Sequence, residues 1–214
     1  MSNTLRQFII LLFLIPIPIS GQKKINANQL KIDYFKELCY NDDQLFSGIT
    51  YSKYENGELE FEKRYKNGQL NGLTKIYYEN GQLNIREKIK SGKLIKCKYW
   101  YESGKLKGKS GYFKEKEFIK HWHENGKRKA ILKWKKRKIV RTSKAWDENG
   151  ILAKKIIVNE KTGNGIFMLW HGNGKLKTEI NIVNGKVTNE KCWDENGNEV
   201  TCDEETTIKA FFNK

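Results

Sequence analysis

Tyr78-Glu79-Asn80-Gly81-Gln82-Leu83 is a short word that returns in altered spelling along most of this chain. It recurs as Tyr54-Glu55-Asn56-Gly57-Glu58-Leu59, Tyr101-Glu102-Ser103-Gly104-Lys105-Leu106 and His123-Glu124-Asn125-Gly126-Lys127. Further on it becomes Asp147-Glu148-Asn149-Gly150-Ile151-Leu152, His171-Gly172-Asn173-Gly174-Lys175-Leu176 and Asp194-Glu195-Asn196-Gly197. Its glycines stand 24, 23, 22, 24, 24 and 23 residues apart, a regularity that marks a repeat in which each unit chiefly touches its neighbours. Working outward from the word, Asn-Gly predicts a type I′ hairpin turn, because Asn and Gly tolerate the positive φ that such a turn needs at both central residues. Between words run segments of alternating polarity, such as Ile85-Arg86-Glu87-Lys88-Ile89 and Glu179-Ile180-Asn181-Ile182-Val183, as in strands with one buried face.

A second turn falls 11 residues after the word's glycine, at Gly68, Gly92 and Gly185. One unit therefore holds two strands and two turns. The units between 104 and 161 have Glu115, Arg137 and Lys161 at that place, which predicts longer or irregular turns there. The expected fold is all-β: an elongated antiparallel meander of tandem β-hairpins with a period of about 23 residues, after an N-terminal signal peptide. Tyr54, Tyr65, Tyr78, Tyr101, Trp146, Trp170 and Trp193 keep step with the period. A stacked row of rings between hairpins accounts for them better than a ligand groove does.

Phe8 to Ile19 is uninterrupted by charge, follows Arg6 and ends in Ser20 and Gly21. It is shorter than the roughly 20 residues of a spanning helix, and Pro16 and Pro18 would break one. Residues 1–21 accordingly read as a cleaved secretory signal, which makes the mature chain exported (periplasmic, envelope-associated or secreted) with no transmembrane span. Residues 22–44 form a lead-in without the word. Leu30, Tyr34 and Leu38 suit a short helix there, whereas Leu38-Cys39-Tyr40 suits a first strand, and both remain open. The array runs over 45–202 and a tail over 203–214.

Export makes disulfides admissible. Cys192 and Cys202 flank the last word, so a hairpin turning at Asn196-Gly197 brings them into cross-strand range; the alternative is two half-buried thiols. Cys39 and Cys97 are far apart in sequence, and nothing in the spacing pairs them.

The formal charge is +16, which favours anionic partners. For an exported chain these are lipid head groups, envelope polymers or an acidic protein rather than nucleic acid. The densest stretch is Lys127, Arg128, Lys129, Lys133, Trp134, Lys135, Lys136, Arg137, Lys138 and Arg141, nine basic residues and a tryptophan within fifteen positions. Alternation places Ile131, Lys133 and Lys135 on one face and Leu132 and Trp134 on the other. Such a stretch either gathers an anion or merely guards a sheet against aggregation. His121 and His123 share a strand face, yet two ligands fall short of the four in a closed site, and they read as a surface pair. No phosphate loop, nucleophile elbow or His-Glu-x-x-His motif is present, and the carboxylates sit in turns and on exposed faces. No catalytic residue, cofactor or metal is expected.

Tyr65-Lys66-Asn67-Gly68-Gln69-Leu70-Asn71-Gly72 and Tyr78 to Leu83 resemble the bacterial variant of the MORN repeat, as found in YwqK-family antitoxins. Leu45-Phe46-Ser47-Gly48-Ile49-Thr50-Tyr51 is similar to the segment that precedes the first repeat in exported members. The resemblance covers about Leu45 to Cys202. It implies a non-catalytic scaffold that binds another protein, with an antitoxin- or immunity-like role. The alternative is a basic module for anionic membrane or cell-envelope polymers.

Overall fold

A computed structural model describes residues 22–113, 116–135 and 140–202. The expected signal peptide and tail lie outside the described residues, as do Glu115, Lys136, Arg137 and Lys138.

The lead-in forms strands. β1 (Lys24–Asn26) is followed by a 3-10 turn at Ala27–Gln29, then β2 (Lys31–Asp33), β3 (Leu38–Asn41) and β4 (Gln44–Leu45). Of the two readings open for 22–44, the strand at Leu38-Cys39-Tyr40 is the one realised. The helical spacing of Leu30, Tyr34 and Leu38 is overridden locally, because Asp33 Oδ1 accepts the N–H groups of Phe35 and Lys36 at 3.1 Å each and turns the chain back.

The array proper starts with β5 (Gly48–Lys53), β6 (Leu59–Lys66), β7 (Gln69–Tyr77), β8 (Leu83–Lys90) and β9 (Lys93–Trp100). It continues with β10 (Leu106–Phe113), β11 (Lys116–Trp122), β12 (Arg128–Lys135), β13 (Val140–Trp146) and β14 (Leu152–Asn159). It closes with β15 (Asn164–Trp170), β16 (Leu176–Val183), β17 (Lys186–Trp193) and β18 (Glu199–Val200). From β5 onward each strand pairs antiparallel with the next, β1 adds in parallel beside β5, and the result is one 15-stranded sheet. At about 4.8 Å per strand it is roughly 65–70 Å long. β2, β3 and β4 form a separate sheet laid against its first turns, where Cys39 N–H donates to Gly68 O at 2.9 Å and Gly68 N–H to Phe46 O at 2.8 Å.

One face of the long sheet is the apolar one. Across it run Thr74, Cys97, Ile156, Phe167 and Ile180, and the best-packed patch joins Phe167 and Ile180 to Ile156, Leu169 and Ile182. Cys39 and Cys97 are free and buried in different sheets, and burial pushes both thiols up.

The two kinds of turn divide the expectation drawn from Asn-Gly, which holds at 67–68 and 184–185 and fails at the word itself. The mid-unit turns at Asn67-Gly68, Ser91-Gly92 and Asn184-Gly185 have positive φ at both residues, as type I′ requires. The word's own turn does not. Asn56, Asn80, Asn125 and Asn173 keep negative φ and only the following glycine is positive. Gly57 N–H donates to Tyr54 O at 3.0 Å and Tyr54 N–H to Glu58 O at 2.9 Å, with a register shift just before, which is a type I turn closed by a glycine bulge. The Asn is there for its side chain. Asn56 Oδ1 accepts from Glu58 N–H, and its Nδ2 donates to Glu79 O of the next word at 2.8 Å. Asn80, Asn125 and Asn173 repeat that inter-unit bond to Glu102, Glu148 and Glu195.

Lys161 falls in a longer turn, in which Gly163 N–H donates to Asn159 O at 2.8 Å. Gly163 and Gly185 then stack edge to edge, with Gly185 N–H donating to Gly163 O at 3.1 Å. At Gly150, φ is +86°. We expect Gly150→Val to cost about 2 kcal/mol, since a β-branched residue is forced into the left-handed region. Urea unfolding of the variant beside Gly150→Ala separates that backbone strain from lost space.

Candidate functional site

The word's first residue ties each unit to the next. Tyr54, Tyr78 and Tyr101 donate their hydroxyls to the carbonyls of Tyr77, Trp100 and Trp122 at 2.7, 2.8 and 2.9 Å. His123 and His171 do the same from Nε2 to Trp146 and Trp193 at 2.9 and 2.8 Å, which fixes the proton on that nitrogen, since a carbonyl only accepts. Apart from Tyr65, which lies within β6, the periodic aromatics therefore occupy two distinct places, the word's first position and the one before it. The link between units at the first is a hydrogen bond rather than ring stacking. Asp147 and Asp194 instead cap their own turns, accepting from Ile151 N–H and Asn198 N–H at 2.8 Å.

His121 and His123 do not converge. His121 turns its Nε2 to the Tyr99 hydroxyl at 3.3 Å, with a bulge separating it from Trp122. Burial, then the charges of Lys129 and Lys107, hold its pKa below the usual 6.5. A base whose folded-state pKa is depressed stabilises the fold above its unfolded value and loses that contribution as pH falls through the folded one. The unfolding midpoint should therefore fall as pH drops from 7 toward 5, and the fall should be shallower in His121→Gln, which urea titration at several pH values would read.

Among the described residues the one tight grouping of three ligand-type side chains is Glu190, Cys192 and Cys202, and its two sulfurs are spent in a disulfide whose Cα atoms lie 5.3 Å apart.

The basic run is divided by the sheet. Ile131 and Lys133 pair with Lys144 and Thr142 on the face opposite the apolar one, while Leu132 and Trp134 pair with Ser143 and Arg141 on the apolar face. There Arg141 lies over the Trp134 ring, 5.7 Å from its centroid, and is bound to Glu160 at 2.6 Å. Arg128 sits over Trp146, and Lys127 Nζ donates to Asn149 O at 3.0 Å. Of the candidate cations, Lys133 is exposed on the outer face, and Lys129 is exposed at the register shift beside Ala130.

What the run conceals is a longer feature. Directly paired residues share a face, and the outer face presents Lys75, Arg86, Lys98, Lys109, Lys120, Ile131, Lys144 and Lys155 in consecutive register across β7 to β14. Lys75 meets Glu62 at 3.7 Å. Among the described residues no carboxylate forms an ion pair with Arg86, Lys98, Lys109, Lys120, Lys144 or Lys155. The sequence does carry the signal, because these positions recur every 11 to 13 residues, one per strand.

A second surface lies at the lead-in. Tyr34 and Phe35 stand almost wholly in solvent (82% and 102% exposed) at the turn fixed by Asp33, with Ile32 half exposed beside them. Ile32 and Tyr34 border a cleft of about 580 Å³ lined also by Leu38, Tyr65 and Leu70. Burial, with Cys39 adding to it, pushes the Tyr65 phenol up to about 12.

The MORN repeat variant matches residues 47–67, 70–91 and 93–115. Three units of this chain are MORN-like. Beyond the matched residues the same turn recurs to Gly197, with Gly126, Gly150, Gly174 and Gly197 each donating to the carbonyl three residues back. The hairpin units are thus continuous across the array, of which the family model matches the first three. No curated protein matches the chain. Among the described residues no helix is long and apolar enough to cross a membrane.

Proposed function

We propose that the chain is an exported, non-catalytic scaffold that holds a partner protein at its lead-in, with the MORN array as a rigid support. The observation that carries this reading is the aromatic pair Tyr34 and Phe35. Their backbone is fixed by the Asp33 carboxylate, whose pKa is held down by hydrogen bonds from the Lys36 backbone and side chain, while both rings face water beside a preformed cleft. Exposed aromatic rings carried on a fixed backbone suit the anchor role that aromatics play in protein interfaces. An antitoxin- or immunity-like use of the complex is the finer reading, resting on the likeness to YwqK-family proteins.

The test is capture from the native cell-envelope fraction. A specific protein should be retained by the wild-type chain at about 1 M salt, where the Debye length is about 3 Å, and lost by Tyr34→Ser/Phe35→Ser. An empty capture at physiological salt, or one indifferent to the double substitution, overturns the reading. A second reading, an anionic membrane or envelope polymer as ligand, is favoured by the outer-face cations that meet no carboxylate among the described residues, Lys109 and Lys120 lying instead over the Trp122 and Phe118 rings.

A further inference from the structure

We infer that the cation row Arg86, Lys98, Lys109, Lys120, Lys144 and Lys155 is a binding track for a linear phosphate polymer laid across the strands. The inference sharpens the second reading above and is independent of the protein docked at Tyr34 and Phe35.

Four observations carry it. Like charges directly opposite on neighbouring strands destabilise a sheet, yet here they stand in successive pairs: Arg86 beside Lys98, Lys98 beside Lys109, Lys109 beside Lys120, Lys144 beside Lys155. Lys109, Lys120, Lys144 and Lys155 are half-buried, so their stems lie along the sheet and cannot splay freely. Among the described residues carboxylates meet the row only at its margin, where Glu62 takes Lys75 at 3.7 Å and Lys24 at 2.6 Å, and beyond Lys155 the row continues as Met168 and Glu179. The charge is also banked on one side by Lys88, Lys96 and Lys133, each two residues along its strand from the row and so on the same face, with Lys88 directly opposite Lys96.

The shape of the track selects the ligand. Cations arrive singly, one per strand at about 4.8 Å, over a path that a flexible chain of phosphates can follow continuously. Strands in a sheet rotate by roughly 20–25° from one to the next. Over seven strands such steps exceed a right angle, so a planar bilayer meets part of the row and a polymer meets all of it. Ile131, the one gap in the register, leaves room for an apolar linker between phosphate groups.

The probe is inorganic polyphosphate of defined chain length, titrated against the full chain at several salt concentrations. Vesicles of phosphatidylcholine with phosphatidylglycerol, and free phosphate, serve as comparison ligands. Two triple variants are compared: Lys98→Glu/Lys109→Glu/Lys120→Glu on the row, and Lys66→Glu/Lys90→Glu/Lys186→Glu at the turn edge, which changes net charge equally. The expected result is tight binding of polyphosphate and weak binding of free phosphate. Loss on the row variant should be about 100-fold, with the salt slope lowered by about 2, while the edge variant shows little change. The glutamine version of the row triple keeps the fold comparable and should show an intermediate loss. Equal losses in the row and edge variants would reduce the effect to net charge and overturn the track. So would vesicles held more tightly than polymer, or no polyphosphate binding at about 0.1 M salt.

Discussion

Ile180→Ala should lower the stability of the C-terminal units by about 2–5 kcal/mol, and should do so locally. Ile180 has no exposed surface, and it packs with Phe167 in a patch completed by Ile156, Leu169 and Ile182. In a sheet one layer thick the apolar surface available to each unit is small, so removing three carbons from the best-buried side chain takes a large share of what holds β15, β16 and β17 together. The N-terminal units are built differently. Their buried places are filled by Thr50, Thr74 and Ile89, with Cys97 further along, so they do not depend on the patch around Phe167. Repeats that contact only their neighbours lose stability unit by unit. Hydrogen exchange should therefore show amides of β15 to β17 losing protection in Ile180→Ala while those of β6 to β8 keep theirs. Uniform loss along the chain would show instead that the whole sheet unfolds as one unit.

The repeat made the architecture readable, and it also hid the site. Glycine spacing gave the hairpins and their order because backbone geometry is a local property that Gly57 or Gly68 announces on its own. Asn-Gly gave the turn type at 67–68 and 184–185 but not at the word itself. Asn-Gly favours type I′ only when the strands alone set the geometry, and at the word the Asn56 amide is committed to Glu79 of the next unit. Sequence local to the turn cannot show a partner 23 residues away. Density misled in a related way. Lys127 to Arg141 draws attention because its charges are consecutive, but consecutive residues on a strand face opposite ways, and Trp134 and Arg141 went to the apolar face. The outer-face row is dilute in sequence, one residue per strand, and becomes a row only when register is known. Tyr34 and Phe35 escaped for a third reason: their exposure follows from the Asp33 turn, where a helical reading of Leu30, Tyr34 and Leu38 buries Tyr34 instead.

Reduction of the Cys192–Cys202 bridge, or Cys192→Ser with Cys202→Ser, should cost about 2–3 kcal/mol and free the end of the array. β18 contains two residues and pairs with β17 only through Cys192 with Val200 and Trp193 with Glu199, which is too little to survive alone. What holds it is the bridge, ten residues apart in sequence, together with the turn in which Asn198 donates to both Asp194 oxygens at 2.8 and 3.0 Å. Those bonds keep the Asp194 carboxyl below the usual carboxylate range. Cys192 is itself buried, with Thr178 Oγ1 3.9 Å from its sulfur, and Thr178 has no exposed surface. Fraying of β18 would therefore wet the apolar face next to Ile180 and leave β17 as an open, pairable edge. The expected readout is a lower urea midpoint in reductant, with amide exchange accelerating first in β17 and then in β16, and with aggregation increasing as the edge is bared. The Ile180→Ala and bridge-free variants should then combine to less than the sum of their separate costs, because both act by loosening the same last units. An unchanged midpoint with both thiols demonstrably free would assign the holding of β18 to the Asp194 turn alone.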